Sequence, residues 1–358
     1  MNKKGYTVLE LFSGAGGLAL GLHKAGFVNV GMIDFFEDAN RTVRYNFPDW
    51  NVVTADINKV ADEGINNYIP KQSIDLLAGG FPCQPFSYAG KKLGLEDTRG
   101  TAFYSLISII NQVAPTAIFL ENVRGLLSHD QGRTFNTIIK ILRDIGYYIS
   151  YRVLNAWDYG VAQKRERVII IGWREEYNNV FFQFPRPIPN RLVLRDVLQN
   201  VPDSEGIEYA EKKKTVMQMV PPGGCWVDLP EEVAKEYMGK SYYSGGGKRG
   251  MARRMAWDEP SLTLTCSPAQ KQTERCHPEE TRPFTTREYA RIQGFPDDYH
   301  FVGSVNSIYK QIGNAVPVQL AYHIGIELKE LLINIEKGHR NHDTTQLGYT
   351  VATAGGLY

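Results

Sequence analysis

Cysteine is scarce: four residues in 358, Cys83, Cys225, Cys266 and Cys276. That is too few and too scattered for the disulfide framework of a small secreted domain. Neither sign of charge dominates, since 40 basic and 39 acidic side chains leave a net +1. Any nucleic-acid partner must therefore meet a local basic patch, not a basic surface. No apolar run reaches the ~18 residues of a membrane helix, and the Met-Asn-Lys-Lys-Gly start lacks the apolar core of a secretory leader. Cys266, Cys276 and His277 do not have zinc-site spacing and no second pair accompanies them, so no metal is expected. No internal repeat is present. These absences predict a soluble chain in a reducing cytoplasm, without a membrane or an obligate protein partner, acting as a monomer. Its length suits two domains.

What is present is alternation. Tyr6 to Phe12 reads as a buried strand, followed by the turn Ser13-Gly-Ala-Gly-Gly17 and a helix over Leu18 to Ala25 stopped by Gly26. Strands follow at Val28 to Ile33, Asn51 to Thr54, Ile74 to Ala78, Ala117 to Leu120, Tyr147 to Asn155 and Val168 to Gly172, with helices at Glu37 to Asn46, Ala102 to Val113 and Thr134 to Gly146. This predicts an α/β fold with a doubly wound, mostly parallel sheet. Ligands bind such sheets at the carboxyl ends of the strands. From about Trp173 to Arg282 the pattern breaks up into Pro-Arg-Pro-Ile-Pro, Pro221-Pro-Gly-Gly and Gly245-Gly-Gly. Helical spacing returns at Thr286 to Ile292 and over Val316 to Ile335. The expected organisation is a first domain over 1–173, a smaller irregular domain over 174–282, a segment over 283–337 that returns to the first domain, and a polar tail over 338–358.

The glycine loop after the first strand permits close approach of a ligand to backbone N–H groups. It lacks the Gly-Lys-Ser/Thr of a phosphate loop and the full G-x-G-x-x-G of dinucleotide enzymes. Asp34, at a strand end, suits ribose hydroxyls. Phe35 suits stacking on an adenine, and Asp56 suits its amino group. Together they describe a nucleoside pocket without a second phosphate site. Cys83 lies in Ala78-Gly-Gly-Phe-Pro-Cys-Gln-Pro-Phe-Ser87, on a proline-bracketed turn past a strand. An exposed thiol there becomes a nucleophile if its surroundings favour the thiolate. Glu121, at a neighbouring strand end, can serve as acid or hydrogen-bond partner. Alternation in Gln163-Lys-Arg-Glu-Arg167 places Gln163, Arg165 and Arg167 on one face, which suits phosphate or carbonyl contacts or a solvated edge. Lys240 to Ala256 carries five basic residues and no acid, interleaved with glycine and tyrosine. It is either a loop along a phosphate backbone or a solvated basic loop.

Read in order, Phe12-Ser-Gly-Ala-Gly-Gly-Leu18, Gly80-Phe-Pro-Cys-Gln-Pro-Phe-Ser87, Glu121-Asn-Val123, Gln163-x-Arg-x-Arg167, Arg287-Glu-x-Ala-Arg-Ile-Gln-Gly-Phe-Pro-Asp297 and Gln311-Ile-Gly-Asn-Ala-Val-Pro317 resemble the DNA (cytosine-5)-methyltransferases of bacterial type II restriction–modification systems. The resemblance runs almost end to end. Only about 174–282 lacks family motifs, the stretch that in this family is the variable target-recognition domain.

The resemblance implies an S-adenosylmethionine-dependent methyltransferase fold and methylation of C5 of a cytosine flipped out of a short duplex site. It implies that Cys83 adds to C6, that Glu121 engages N3, and that Arg165 and Arg167 hold the flipped cytosine and its backbone. Cofactor positions implied are Phe12, Gly14, Gly16, Gly17, Leu18, Asp34, Phe35, Asp56, Ile57, Gly80 and Pro82, with Asn314, Ala315 and Val316 from the late motif. The second-strand acid is Asp34 where the family more often has glutamate. DNA contacts are expected from Gln84, Ser87, Arg99 and Gln163, and from Lys248, Arg249, Arg253, Arg254 and Thr265. The loop Gly90 to Gly100 is the family's closing loop, with glycine hinges. Alternatives are an RNA-modifying member of the family, a regulator that binds DNA without activity, and a nicotinamide dehydrogenase. The incomplete phosphate fingerprint and Pro-Cys-Gln count against the last.

Overall fold

A computed structural model describes residues 5–82, 102–243 and 250–341. In chain order the strands are β1 (Thr7–Leu11), β2 (Val28–Asp34), β3 (Val52–Thr54), β4 (Leu76–Gly79), β5 (Ala117–Val123), β6 (Tyr147–Asn155), β7 (Gln163–Lys164), β8 (Glu166–Arg174) and β9 (Ser261–Leu262). The helices are α1 (Gly17–Lys24), α2 (Glu37–Asn46), α3 (Ile57–Glu63), α4 (Ala102–Val113), α5 (Arg133–Asp144), α6 (Leu194–Val197), α7 (Glu211–Gln218), α8 (Glu231–Met238), α9 (Thr286–Gln293), α10 (Val305–Asn314) and α11 (Val318–Asn341).

Seven strands form one sheet in the order β3-β2-β1-β4-β5-β8-β6, with β7 and β9 pairing separately. The pairs from β3 through β5 are parallel, and β8 runs antiparallel to both neighbours. The doubly wound, mostly parallel sheet is therefore present, with one reversed strand that the periodicity did not reveal. Alternation along each strand feeds two cores. Val8, Leu76 and Ile169 face α1 and α11, where Leu22, Leu320, Ile324 and Leu328 are buried. Leu9, Leu77, Ile118 and Ile170 face the other way, onto Val60, Leu106, Ile110, Ile138 and Leu142 of α3, α4 and α5. Each fully buried aliphatic side chain contributes roughly 1.5–3 kcal/mol.

Outside the 174–282 stretch, two helices were not expected from the sequence. Asp56 starts α3 by accepting from Asn58 N at 2.8 Å, and Gly64 ends it at φ 91°. Ser304 caps α10 through its side chain. The described residues between Arg174 and Arg282 are mostly irregular, yet α6, α7 and α8 are helical there. Tyr209, Met217, Trp226, Met238, Met251 and Cys276 gather in a separate core. The last helix continues to Asn341 beyond the Ile335 expected. Among the described residues no helix is long and apolar enough to cross a membrane.

Candidate functional site

The carboxyl ends of β1, β2, β3, β4 and β5 open on two adjoining cavities of about 310 and 280 Å³, which share Phe12, Asp34, Phe35 and Pro82 as walls. Gly14, Leu18, Gly80, Asn314, Ala315 and Val316 line the larger, and Asp56 and Ile57 the smaller. Strand ends so far apart in sequence meet because parallel strands all present the same rim. Gly16 and Gly17 line neither cavity. Instead they permit tight packing: a β-carbon on Gly17 would lie 2.4 Å from Val316 O, and one on Gly16, at φ +76°, would meet Tyr299 Oη at 3.0 Å. Phe12 itself holds φ 56°, a left-handed conformation that a side chain of this size adopts at a cost of order 1–3 kcal/mol, a pattern that clusters at functional sites.

Asp34 does two jobs. Its Oδ2 accepts from Gly14 N at 2.8 Å and its Oδ1 from Phe36 N at 2.8 Å. Burial raises its carboxyl above the ordinary value, partly offset by those N–H groups and by Lys310. Phe35 beside it is exposed, 72%, a free ring face at the junction of the two cavities.

Glu10 lines the larger cavity and was not expected from the sequence. It is 1% exposed, and its Oε2 has no hydrogen-bond partner among the described residues. Burial, reinforced by nearby Asp34, pushes its carboxyl well above the ordinary range. An acid embedded in a β-strand of apolar residues was the available signal. Across the same cavity Lys310 stands 4.4 Å over the ring of Phe36. A buried carboxyl with an unpaired oxygen, an exposed aromatic face and a second carboxyl in adjoining cavities match a ligand with a cationic amino-acid end and a nucleoside end. The residues present thus fit S-adenosylmethionine.

Glu121 sits at the same rim. Its Oε1 accepts from Arg167 Nε at 2.7 Å, with both side chains about one-tenth exposed. The reversal of β8 makes this contact possible, since it sets Arg167 opposite Val123 at the carboxyl end of β5. Gly80 leaves room for the acid, because a β-carbon there would lie 3.1 Å from Glu121 Oε2. Asn122 Nδ2 donates to Phe81 O at 2.9 Å, fixing the segment that leads into Cys83. Cys83, Gln84, Ser87 and Arg99 lie outside the described residues, as do Lys248 and Arg249.

Three residues expected to meet substrate are buried and bonded within the protein. Gln163 is fully buried and bonded to Gln293 and to Leu264 N. Arg165, 2% exposed, donates to Leu264 O, Gly313 O and Ala315 O. Burial, and next to it the charge of Arg167, pulls its guanidinium down to about 9, so it stays positive at neutral pH. Arg254 is buried and spends its guanidinium on Val220 O, Met217 O, His277 O, Glu280 O and Thr281 Oγ1. Such an arginine braces the scaffold, because every donor is already committed. Arg253 donates to Gly223 O and pairs with Glu259. Thr265 Oγ1 donates to Ser267 O.

The family model described as C-5 cytosine-specific DNA methylase matches residues 6–330. The chain is 55% identical over 332 residues to the type II methyltransferase M.Sau96I of Staphylococcus aureus, covering 92% of this chain and 77% of that protein. It is 54% identical over 342 residues to the type II methyltransferase M.Eco47II of Escherichia coli, covering 93% and 81%. Among solved structures, a DNA modification methyltransferase encoded within an Escherichia coli prophage superposes with a TM-score of 0.68 at 24% identity, covering 92% of this chain and 99% of that one. The S. pombe Dnmt2 methyltransferase gives 0.64 at 18% with the same coverage. Likeness at that identity speaks to the fold.

Proposed function

The chain belongs to the C-5 cytosine-specific DNA methylase family, and from that premise we propose that it methylates C5 of a cytosine flipped out of a short, specific duplex DNA site, through a covalent bond between Cys83 and C6. The observation that carries this reading is the meeting at one rim of the Glu121–Arg167 pair, the anchored Phe81–Pro82 segment that precedes Cys83 in the sequence, and a cavity suited to S-adenosylmethionine.

Cytosine C5 is a weak nucleophile. Addition of the Cys83 thiolate to C6 moves the ring's π electrons toward C5 and N3. Glu121 hydrogen-bonds or protonates N3 and so relieves the charge that addition creates. Arg167 holds the Glu121 carboxyl by one strong charge-assisted bond and keeps it aimed at the rim. Bound S-adenosylmethionine supplies an electrophilic methyl group. Loss of the C5 proton, with departure of the Cys83 sulfur from C6, then restores the aromatic ring. Glu10 is suited to the cofactor's α-ammonium, Asp34 to its ribose and Asp56 to its adenine amino group. We read the residues between Arg174 and Arg282 as the part that selects the site. The biological role that follows is protection of DNA from an endonuclease cutting the same sequence.

Bisulfite sequencing of DNA from a host expressing the chain tests this directly. The expected result is protected cytosines confined to one short motif, absent with Cys83→Ser, together with a covalent adduct on a 5-fluorocytosine duplex, where fluorine cannot leave as a proton does. Full methylation by Cys83→Ser would refute the covalent route. Methyl transfer to transfer RNA and not to plasmid DNA would move the substrate to RNA.

A further inference from the structure

Gln163 and Gln293 form a chain of hydrogen bonds whose direction is fixed at both ends. Leu264 N can only donate, and it donates to Gln163 Oε1 at 3.0 Å. Gln163 Nε2 therefore donates to Gln293 Oε1 at 2.5 Å, and Gln293 Nε2 donates to the carbonyl of Ala315 at 2.5 Å. A backbone carbonyl can only accept, so neither amide can turn over without losing two bonds. Both glutamines are fully buried. Arg165 braces the same pieces in parallel, from Leu264 O to Gly313 O and Ala315 O. The contact between the two segments is tight: a β-carbon on Gly313 would lie 2.3 Å from Thr265 O.

We infer that Gln163 and Gln293 are positioning residues for the cofactor turn Asn314–Val316, acting from the segment Thr263–Thr265, and that Gln163 is not a DNA contact. This rests on the proposed use of the cavity for S-adenosylmethionine. The turn's inner wall is Asn314, Ala315 and Val316. Asn314 is the last residue of α10, Ala315 N closes that helix on Gln311 O and Ile312 O, and α11 starts only at Val318, so the Ala315 carbonyl lies between the two helices. The Ala315 carbonyl is instead held from the side by Gln293 and Arg165. Freed from that hold, the turn can adopt several conformations, and cofactor binding must then select one. A DNA-contacting glutamine would need a free amide edge at the surface, and Gln163 has none.

The test is the affinity of the full chain for S-adenosylhomocysteine by calorimetry, beside its affinity for a short duplex without cofactor. Gln163→Leu and Gln293→Leu should each weaken S-adenosylhomocysteine binding at least tenfold and leave duplex affinity within twofold. Tyr309→Phe is the control. It removes another buried bond of the same core, Tyr309 Oη to Phe284 O at 2.6 Å, and should leave S-adenosylhomocysteine binding within twofold. Should Gln293→Leu fail to fold, Gln293→Glu keeps the shape and the acceptor for Gln163 but sets an oxygen against Ala315 O, and the same loss is expected. Weakened duplex binding with unchanged cofactor binding in Gln163→Leu would overturn the inference, and so would equal weakening by Tyr309→Phe. A wild-type chain that does not bind S-adenosylhomocysteine overturns the reading of the cavity as well. Binding by wild type and variants alike overturns the positioning role alone.

Discussion

A β-carbon on Gly17 would lie 2.4 Å from Val316 O, 3.1 Å from Ala315 Cβ and 3.3 Å from Phe295 Cζ. Helix α1 cannot yield, because one turn on Gly21 is pressed against α11, where a β-carbon would lie 2.4 Å from Ala321 Cβ and 2.5 Å from Val318 O. In Gly17→Ala the Ala315–Val316 turn must therefore retreat, by about 1 Å to reach ordinary contact, and overpacking of this kind costs about 1–3 kcal/mol. That turn is a wall of the larger cavity, so part of the cost appears as lost ligand affinity. About 1.4 kcal/mol of it is tenfold in Kd. The expected result is a rise of about tenfold or more in the Kd for S-adenosylhomocysteine, read by calorimetry, with a lower urea midpoint. Gly21→Ala should lose similar stability and keep the affinity, since the residues it presses on, Ala321, Val318 and Tyr322, line neither cavity. Affinity within twofold of wild type in Gly17→Ala, or an equal loss in Gly21→Ala, would refute the account.

Three further perturbations have expected outcomes. Glu10 has a folded-state carboxyl raised by burial, so it favours folding at low pH and its contribution is lost as pH rises above the unfolded value of about 4.3. Glu10→Gln should flatten that decline. A cation seated beside Glu10 should also expel its proton, so calorimetry in two buffers of different ionisation enthalpy should show proton release with wild type and none with Glu10→Gln; equal release would remove Glu10 from the cofactor site. Arg254→Met should cost roughly 3 kcal/mol of stability, since it strands buried acceptors, while leaving the salt dependence of duplex binding unchanged. Lys248→Ala with Arg249→Ala should instead lower the salt slope by about 2, and an unchanged slope would show that these charges do not meet phosphates.

The elements that follow local rules were legible. The glycine loop, Asp34 and Glu121 all sit at strand ends, and strand ends in a parallel sheet share a rim whatever their order. The reversal of β8 was not legible, because a fully buried strand reads the same in either direction. Yet that reversal is what brings Arg167 to Glu121. The burial of Arg254 was not legible, because composition sees a basic cluster, while burial depends on carbonyls supplied from Met217 to Glu280. Gln163 and Gln293 lie 130 residues apart, and no local pattern signals a bond of that span. Glu10 could have been noticed, since a lone acid within Thr7-Val-Leu-Glu-Leu11 conflicts with its buried strand, and such conflicts mark functional positions.

The seat of Val316 against Gly17, and of Tyr299 Oη on Ala15 O at 2.7 Å, has a consequence for the order of events at the ribosome. Residues 284 apart meet there, so the glycine loop emerges long before its covering turn. At roughly 5–20 residues per second, the nascent chain spends on the order of 15–60 seconds with that loop uncovered. Methylation competence thus arrives abruptly, near the end of synthesis, and a ribosome that stalls before the late motif releases a chain that lacks both the covering turn and the α11 side of the core.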